Sequence, residues 1–125
     1  MPIIDIRALA QTEPELIELA LKNVCTAVAQ AYGCEPRQVW ATWISVAPGQ
    51  YYEGDVGADV QPSKSHPPIV RLLCFEGKDD DVIENTLKAA SEAICRSLRL
   101  TSNVFIEYAE AKSGRVIAGN GVIRH

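Results

Sequence analysis

Residues 68–75 read PIVRLLCF, and residues 2–9 read PIIDIRAL. The two stretches open on the same Pro-Ile pair and both suit a strand, the first of them placing Ile4, Ile6 and Ala8 on one face and Ile3, Asp5 and Arg7 on the other. Their offset of 66 positions (68 − 2) also aligns Ile17 with Ile83, Glu18 with Glu84, Leu21 with Leu87, Lys22 with Lys88 and Ala27 with Ala93. Ile4/Val70, Ile6/Leu72, Leu16/Val82 and Val28/Ile94 are conservative swaps at that offset. A shared core pattern would follow from any two units of one type. Matching prolines at both starts and Glu-x-x-Leu-Lys in both following segments would not, so the chain reads as an internal repeat.

Outward from these strands, Thr12 followed by Pro14 and Glu15 is read as the opening of a helix, with Thr12 as its cap. Leu16, Ile17, Leu21, Val24, Val28 and Ala31 recur at helical spacing and Gly33 ends the run, giving a helix over about 13–32. Residues 38–46, QVWATWISV, are rich in β-branched and aromatic side chains and form the next strand, parallel to the first. Residues 51–67 are polar and broken by Gly and Pro, a connector with room for a short hairpin. The second unit repeats the pattern: strand 68–75, a helix capped by Asp79 or its neighbour and running to about Leu98, and strand 103–111, followed by a Gly-punctuated tail. The fold expected is α/β (α+β) with duplicated β-α-β units: a four-stranded mixed sheet with both helices on one face, in one domain over 1–125. Unit one spans about 2–50 and unit two about 68–125. The bare face of such a sheet requires cover, which predicts an oligomer.

Composition narrows the function. A net charge of −4 with no Lys/Arg cluster argues against nucleic acid and anionic membranes as partners. No apolar run approaches a membrane span and the start lacks a signal-peptide pattern, so a soluble cytoplasmic protein is expected. Cys25, Cys34, Cys74 and Cys95 lie far apart with no CxxC pair, which predicts core thiols and no metal site. Pro2 is the residue with chemical potential. If Met1 is removed, its secondary amine is a base for neutral pH; otherwise it merely starts a strand, where a missing N–H costs nothing.

PIVRLLCFEGK with the acidic helix start after it, EAICRSLRL, TSNVFIEYAEAKSG and, in the first unit, the Pro2 start with EPRQVW and PGQYYEG together resemble the tautomerase superfamily, whose members use an amino-terminal proline as catalytic base. The second unit is similar to 4-oxalocrotonate tautomerase. The whole chain is similar in size to the fused members, which include malonate semialdehyde decarboxylase and cis-chloroacrylate dehalogenase. The resemblance covers nearly the whole chain and implies a homotrimer, no cofactor and one site per chain, since Pro68 occupies the matching place but has only an amide nitrogen.

Carried over residue by residue, the resemblance makes Pro2 the base and puts Lys78 where an Arg usually holds a substrate carboxylate. Lysine keeps the charge and loses the bidentate fork; without the resemblance Lys78 would read as a solvated turn residue. Phe75 stands where the dehalogenases carry a further Arg. Glu107 falls where relatives place a residue reaching a neighbouring subunit's site, and it reads either as an acceptor or proton shuttle there or as a surface acid. Arg115 reads as a second substrate cation or as an exposed tail charge. Glu53, with Tyr51 before it, matches a water-activating Glu but would attend the Pro68 end. Trp40 reads as core or interface. The implied reaction is keto-enol tautomerisation of a small 2-oxo acid or its enol, with a small carboxylate as substrate. A Pro2-dependent dehalogenase or decarboxylase is the alternative within enzymes, and an inactive trimeric binding protein the alternative outside them.

Overall fold

The computed structural model describes residues 1–125. Strand β1 (Ile3–Leu9) leads into helix α1 (Glu15–Tyr32), a single 3-10 turn (Pro36–Gln38) and strand β2 (Trp40–Val46). The connector holds a two-residue hairpin, β3 (Tyr52–Glu53) with β4 (Val56–Gly57). Strand β5 (Ile69–Phe75), helix α2 (Asp80–Leu98) and strand β6 (Phe105–Ala111) form the second unit, and the tail closes as a hairpin of β7 (Val116–Ile117) and β8 (Ile123–Arg124). The main sheet has the order β2-β1-β5-β6, with β1/β2 and β5/β6 parallel and β1/β5 antiparallel. It is the mixed, duplicated β-α-β sheet that the repeat predicts.

Both helices cover one face. Ile4, Ile6 and Ala8 of β1 and Val70, Leu72 and Cys74 of β5 are buried against Leu16, Ala20, Val24 and Val28 of α1 and Ala90 and Ile94 of α2. These are the alternate strand positions and the i, i+4 helix positions at which the repeat places apolar side chains. Asn23 Nδ2 donates to Ser97 Oγ at 3.0 Å where the helices meet. The other sheet face is bare, and the register sets its side chains in three rows. Trp40, Ile3, Leu73 and Ala109 form one, Thr42, Asp5, Arg71 and Glu107 the second, and Ile44, Arg7, Ile69 and Phe105 the third.

The repeat extends to hydrogen bonds. Trp40 N–H donates to the Pro2 carbonyl and Phe105 N–H to the Pro68 carbonyl, each at 3.0 Å. Both helices end on a left-handed residue, Gly33 and Arg99, after which Cys34 N–H bonds Ala29 O at 2.9 Å and Leu100 N–H bonds Cys95 O at 2.8 Å. The starts differ. Asp79 caps α2, its carboxylate accepting from Val82 N–H at 3.0 Å, as the acidic start predicts. Thr12 does not cap α1, contrary to expectation; Pro14 takes helical φ/ψ there without any side-chain cap. At the offset of the repeat the Asp79 equivalent is Glu13, a poor cap, and Glu13 instead pairs with Arg99 at 3.0 Å.

Candidate active site

β1 and β5 run antiparallel with Ile3 opposite Leu73, so Cys74 and Phe75 pass alongside Pro2 and Met1 at one end of the sheet. Pro2 is fully buried and Met1 half-buried. Tyr32, at the end of α1, donates through its hydroxyl to the Phe75 carbonyl at 3.4 Å. Lys78 Nζ lies 4.5 Å above the centre of the Tyr32 ring, and Arg124 Cζ lies 4.1 Å above that of Phe75. Six of the twelve Lys and Arg side chains pair with carboxylates; Lys78 and Arg124, like Arg7, Lys64, Lys112 and Arg115, do not. Two unneutralised cations on aromatic faces thus flank the first residues of the chain.

They act on the amine. Burial lowers the pKa of the Met1 amino group from its ordinary value of 8.0; nearby Cys34 and Cys74 oppose the change, and Arg124 and Lys78 add to it. Burial also raises the Cys74 thiol, which keeps it neutral at neutral pH and leaves the effects of burial and the cations less opposed. Tyr108 projects from β6 toward the same end. Burial raises its pKa, and its enclosed hydroxyl makes no well-aligned hydrogen bond although the Cys74 thiol is close enough to affect its ionisation.

The pseudo-equivalent end at Pro68 provides an internal control. At the repeat offset, Tyr32 and Cys34 become Leu98 and Leu100, Cys74 and Phe75 become Ala8 and Leu9, and Lys78 becomes Thr12. Tyr108, opposite Leu72, matches Trp43, opposite Ile6. At these matched positions the polar and cationic groups are at the Pro2 end; the Pro68 end is closed by the connector, which brings polar contacts of its own. Tyr51 Oη donates to Pro67 O at 2.6 Å, Glu53 Oε1 accepts from His66 N–H at 3.1 Å, and Asn103 Nδ2 donates to Ser65 O at 2.7 Å.

Of the residues singled out in the sequence, Lys78 lies close enough to the chain start to lower the pKa of the Met1 amine. Glu107 sits on the bare sheet face, exposed, its Oε1 3.8 Å from Arg71 Nε. Arg115 is exposed at the start of the C-terminal hairpin, its Nη1 donating to Gly114 O at 3.3 Å. Glu53 and Tyr51 attend the Pro68 end, and Trp40 lies at the start of β2 with its ring against Gly119, where a Cβ would approach it to 3.1 Å. Arg124, Tyr32 and Tyr108 gather at the Pro2 end without having been singled out in the sequence. No group of three or more His, Cys, Asp or Glu side chains is arranged to hold a metal ion, and no helix is long and apolar enough to cross a membrane. A groove of about 500 Å³ between α1 and α2 lies on their outer side, lined by Asn23, Thr26, Gln30, Glu92 and Arg96, and none of the Pro2 neighbours borders it.

No family model and no curated protein matches the sequence. Solved structures do match. Pt0534, determined after inactivation by 2-oxo-3-pentynoate, superposes with a TM-score of 0.85 over 97% of this chain and 94% of its own, at 15% identity. The chain has the fold of the fused 4-OT proteins. One of these, described as a wild-type symmetric trimer, gives a TM-score of 0.82 at 19% identity over 97% of this chain and 94% of its own. Malonate semialdehyde decarboxylase gives 0.75 at 15% identity over 96% and 92%. The fused 4-OT fold is therefore shared across nearly the whole length of both chains, with little sequence in common.

Proposed function

We propose that, after removal of Met1, Pro2 is the general base of a cofactor-independent keto-enol tautomerase acting on a small 2-oxo acid or its enol, in a homotrimer. The observation that carries this reading is the asymmetry between the two ends of the repeat. A buried chain start, the cations Lys78 and Arg124 and the tyrosines Tyr32 and Tyr108 meet at Pro2, and the positions at Pro68 that match Lys78, Tyr32 and Tyr108 are Thr12, Leu98 and Trp43. Met1 is half-buried at this end, and its removal would free the Pro2 nitrogen.

A neutral Pro2 nitrogen takes the proton from the carbon α to the carbonyl, or from the enol oxygen. The C–H electron pair moves into the enolate in the first case, and the oxygen charge faces the Lys78 ammonium. The protonated proline then returns the proton to the other atom. Inactivation of Pt0534, a protein of this fold, by the 2-oxo acid 2-oxo-3-pentynoate supports the substrate class, and the trimers described for fused 4-OT support the assembly. Hydration is less well served, because Glu53, the match to a water-activating Glu, is engaged at the Pro68 end.

Intact mass should show a chain lighter by one methionine. That protein should ketonise phenylenolpyruvate, and Pro2→Ala should lower the rate by roughly 10²- to 10⁴-fold, the usual contribution of a positioned base. Equal rates in the two proteins would eliminate the proline mechanism.

A further inference from the structure

The C-terminal hairpin runs across the Pro2 end of the sheet. It leaves β6 at Ala111, which pairs with Phe75, and is fastened there by Glu76, whose N–H donates to Ala111 O at 2.9 Å and whose Oε2 accepts from Ser113 N–H at 2.6 Å. Its far turn reaches the opposite edge strand, where Gly119, with a left-handed φ of 88°, fits against Trp40 so closely that a Cβ would meet the ring at 3.1 Å. Between those fixed points the hairpin passes the ends of β5 and β1. The return strand carries Arg124, whose carbonyl accepts from Gly114 N–H at 2.7 Å and which pairs with Val116.

Such a placement has a chemical consequence. The guanidinium carbon stands 4.1 Å above the Phe75 ring, a partner that takes up none of the N–H donors, and no carboxylate is within ion-pair distance. A guanidinium presents a planar fork that fits a carboxylate through two parallel hydrogen bonds. Lys78, a compact charge on a flexible stem, is suited instead to an oxygen whose charge grows during reaction. We infer that Arg124, held across the Pro2 end by the C-terminal hairpin, is the fork that binds the substrate carboxylate, leaving Lys78 to face the developing oxyanion. This rests on the tautomerase reading for the oxyanion alone; the carboxylate fork can be tested by binding.

The test uses the full chain lacking Met1, in the wild type, Arg124→Lys, Arg124→Gln and Lys112→Gln, the last a charge removal on the same exposed segment. Calorimetric titration with phenylpyruvate and with its methyl ester is set beside the ketonisation kinetics of phenylenolpyruvate. Arg124→Gln should weaken binding of the acid by roughly 10- to 100-fold, the loss of a charge-assisted pair, raise KM correspondingly and leave kcat within a few-fold. Binding of the ester should not change. Arg124→Lys should fall between, and Lys112→Gln should behave as wild type. Unchanged affinity for the acid in Arg124→Gln would overturn the inference, as would equal weakening of acid and ester. Arg124-dependent binding of the acid without ketonisation would remove the tautomerase and leave the fork; Pro2-dependent ketonisation with Arg124-independent binding would do the reverse.

Discussion

At the scale of single residues, the proposed mechanism depends on lowering the pKa of one amine. The Met1 amino group is already shifted down, first by burial and then by Arg124 and Lys78. The Pro2 nitrogen lies one residue deeper, where the side chain is fully enclosed. A base must be neutral to act, so kcat/KM rises with pH through the amine pKa, and the midpoint of that acid limb should lie below the ordinary value of about 8. Lys78→Gln removes a charge that disfavours the ammonium form, so the midpoint should move upward. A pH-rate profile measures this separately from any loss in rate. An unmoved midpoint would mean that Lys78 does not reach the amine. Lys78 was legible only through the resemblance, which puts a carboxylate-holding cation at that turn; the residue by itself reads as a solvated turn charge. Arg124 was not: it shares a Gly-punctuated tail with Arg115, and only the hairpin register, Val116 on Arg124 and Ile117 on Ile123, decides which side chain meets Phe75.

The repeated elements were legible because hydrophobic period and helix stops are local signals. Strand alternation at 2–9 and 68–75, the helical stripe from Leu16 to Ala31 and the stop at Gly33 all hold in the structure. Helix starts were less so, since Thr12 carries a capping side chain in a place where the chain does not use it. This predicts a contrast between the units. Asp79→Ala removes the carboxylate that accepts from Val82 N–H, and should cost about 0.5–2 kcal/mol of stability. Thr12→Ala should stay within about 0.5 kcal/mol of wild type. Denaturant midpoints compared at one protein concentration, which also holds any assembly term constant, would measure both. A Thr12 cost equal to that of Asp79 would show that the first helix is capped after all.

For the whole molecule, what matters is the sheet face the helices leave bare. Three rows of side chains cross it, the central one charged and the outer two largely apolar, with Ile44 63% and Phe105 58% exposed. The edge strands β2 and β6 leave unpaired backbone groups beside those rows. An apolar face of this kind calls for a partner, and further copies of the chain suit it, because the charged row offers both signs: Asp5 with Thr42 at 2.8 Å, and Arg71 with Glu107 at 3.8 Å. In the proposed trimer, closed by rotation, one copy's Glu107 would approach the next copy. Ile44→Asp puts a charge into the apolar row without touching the core within the chain, so folding should be preserved while assembly is lost. Sedimentation should then give three chains for the wild type and one for Ile44→Asp, with the far-UV circular dichroism of the two superimposable. A wild type that sediments as a single chain would remove the trimer, and the bare face would then require a different partner.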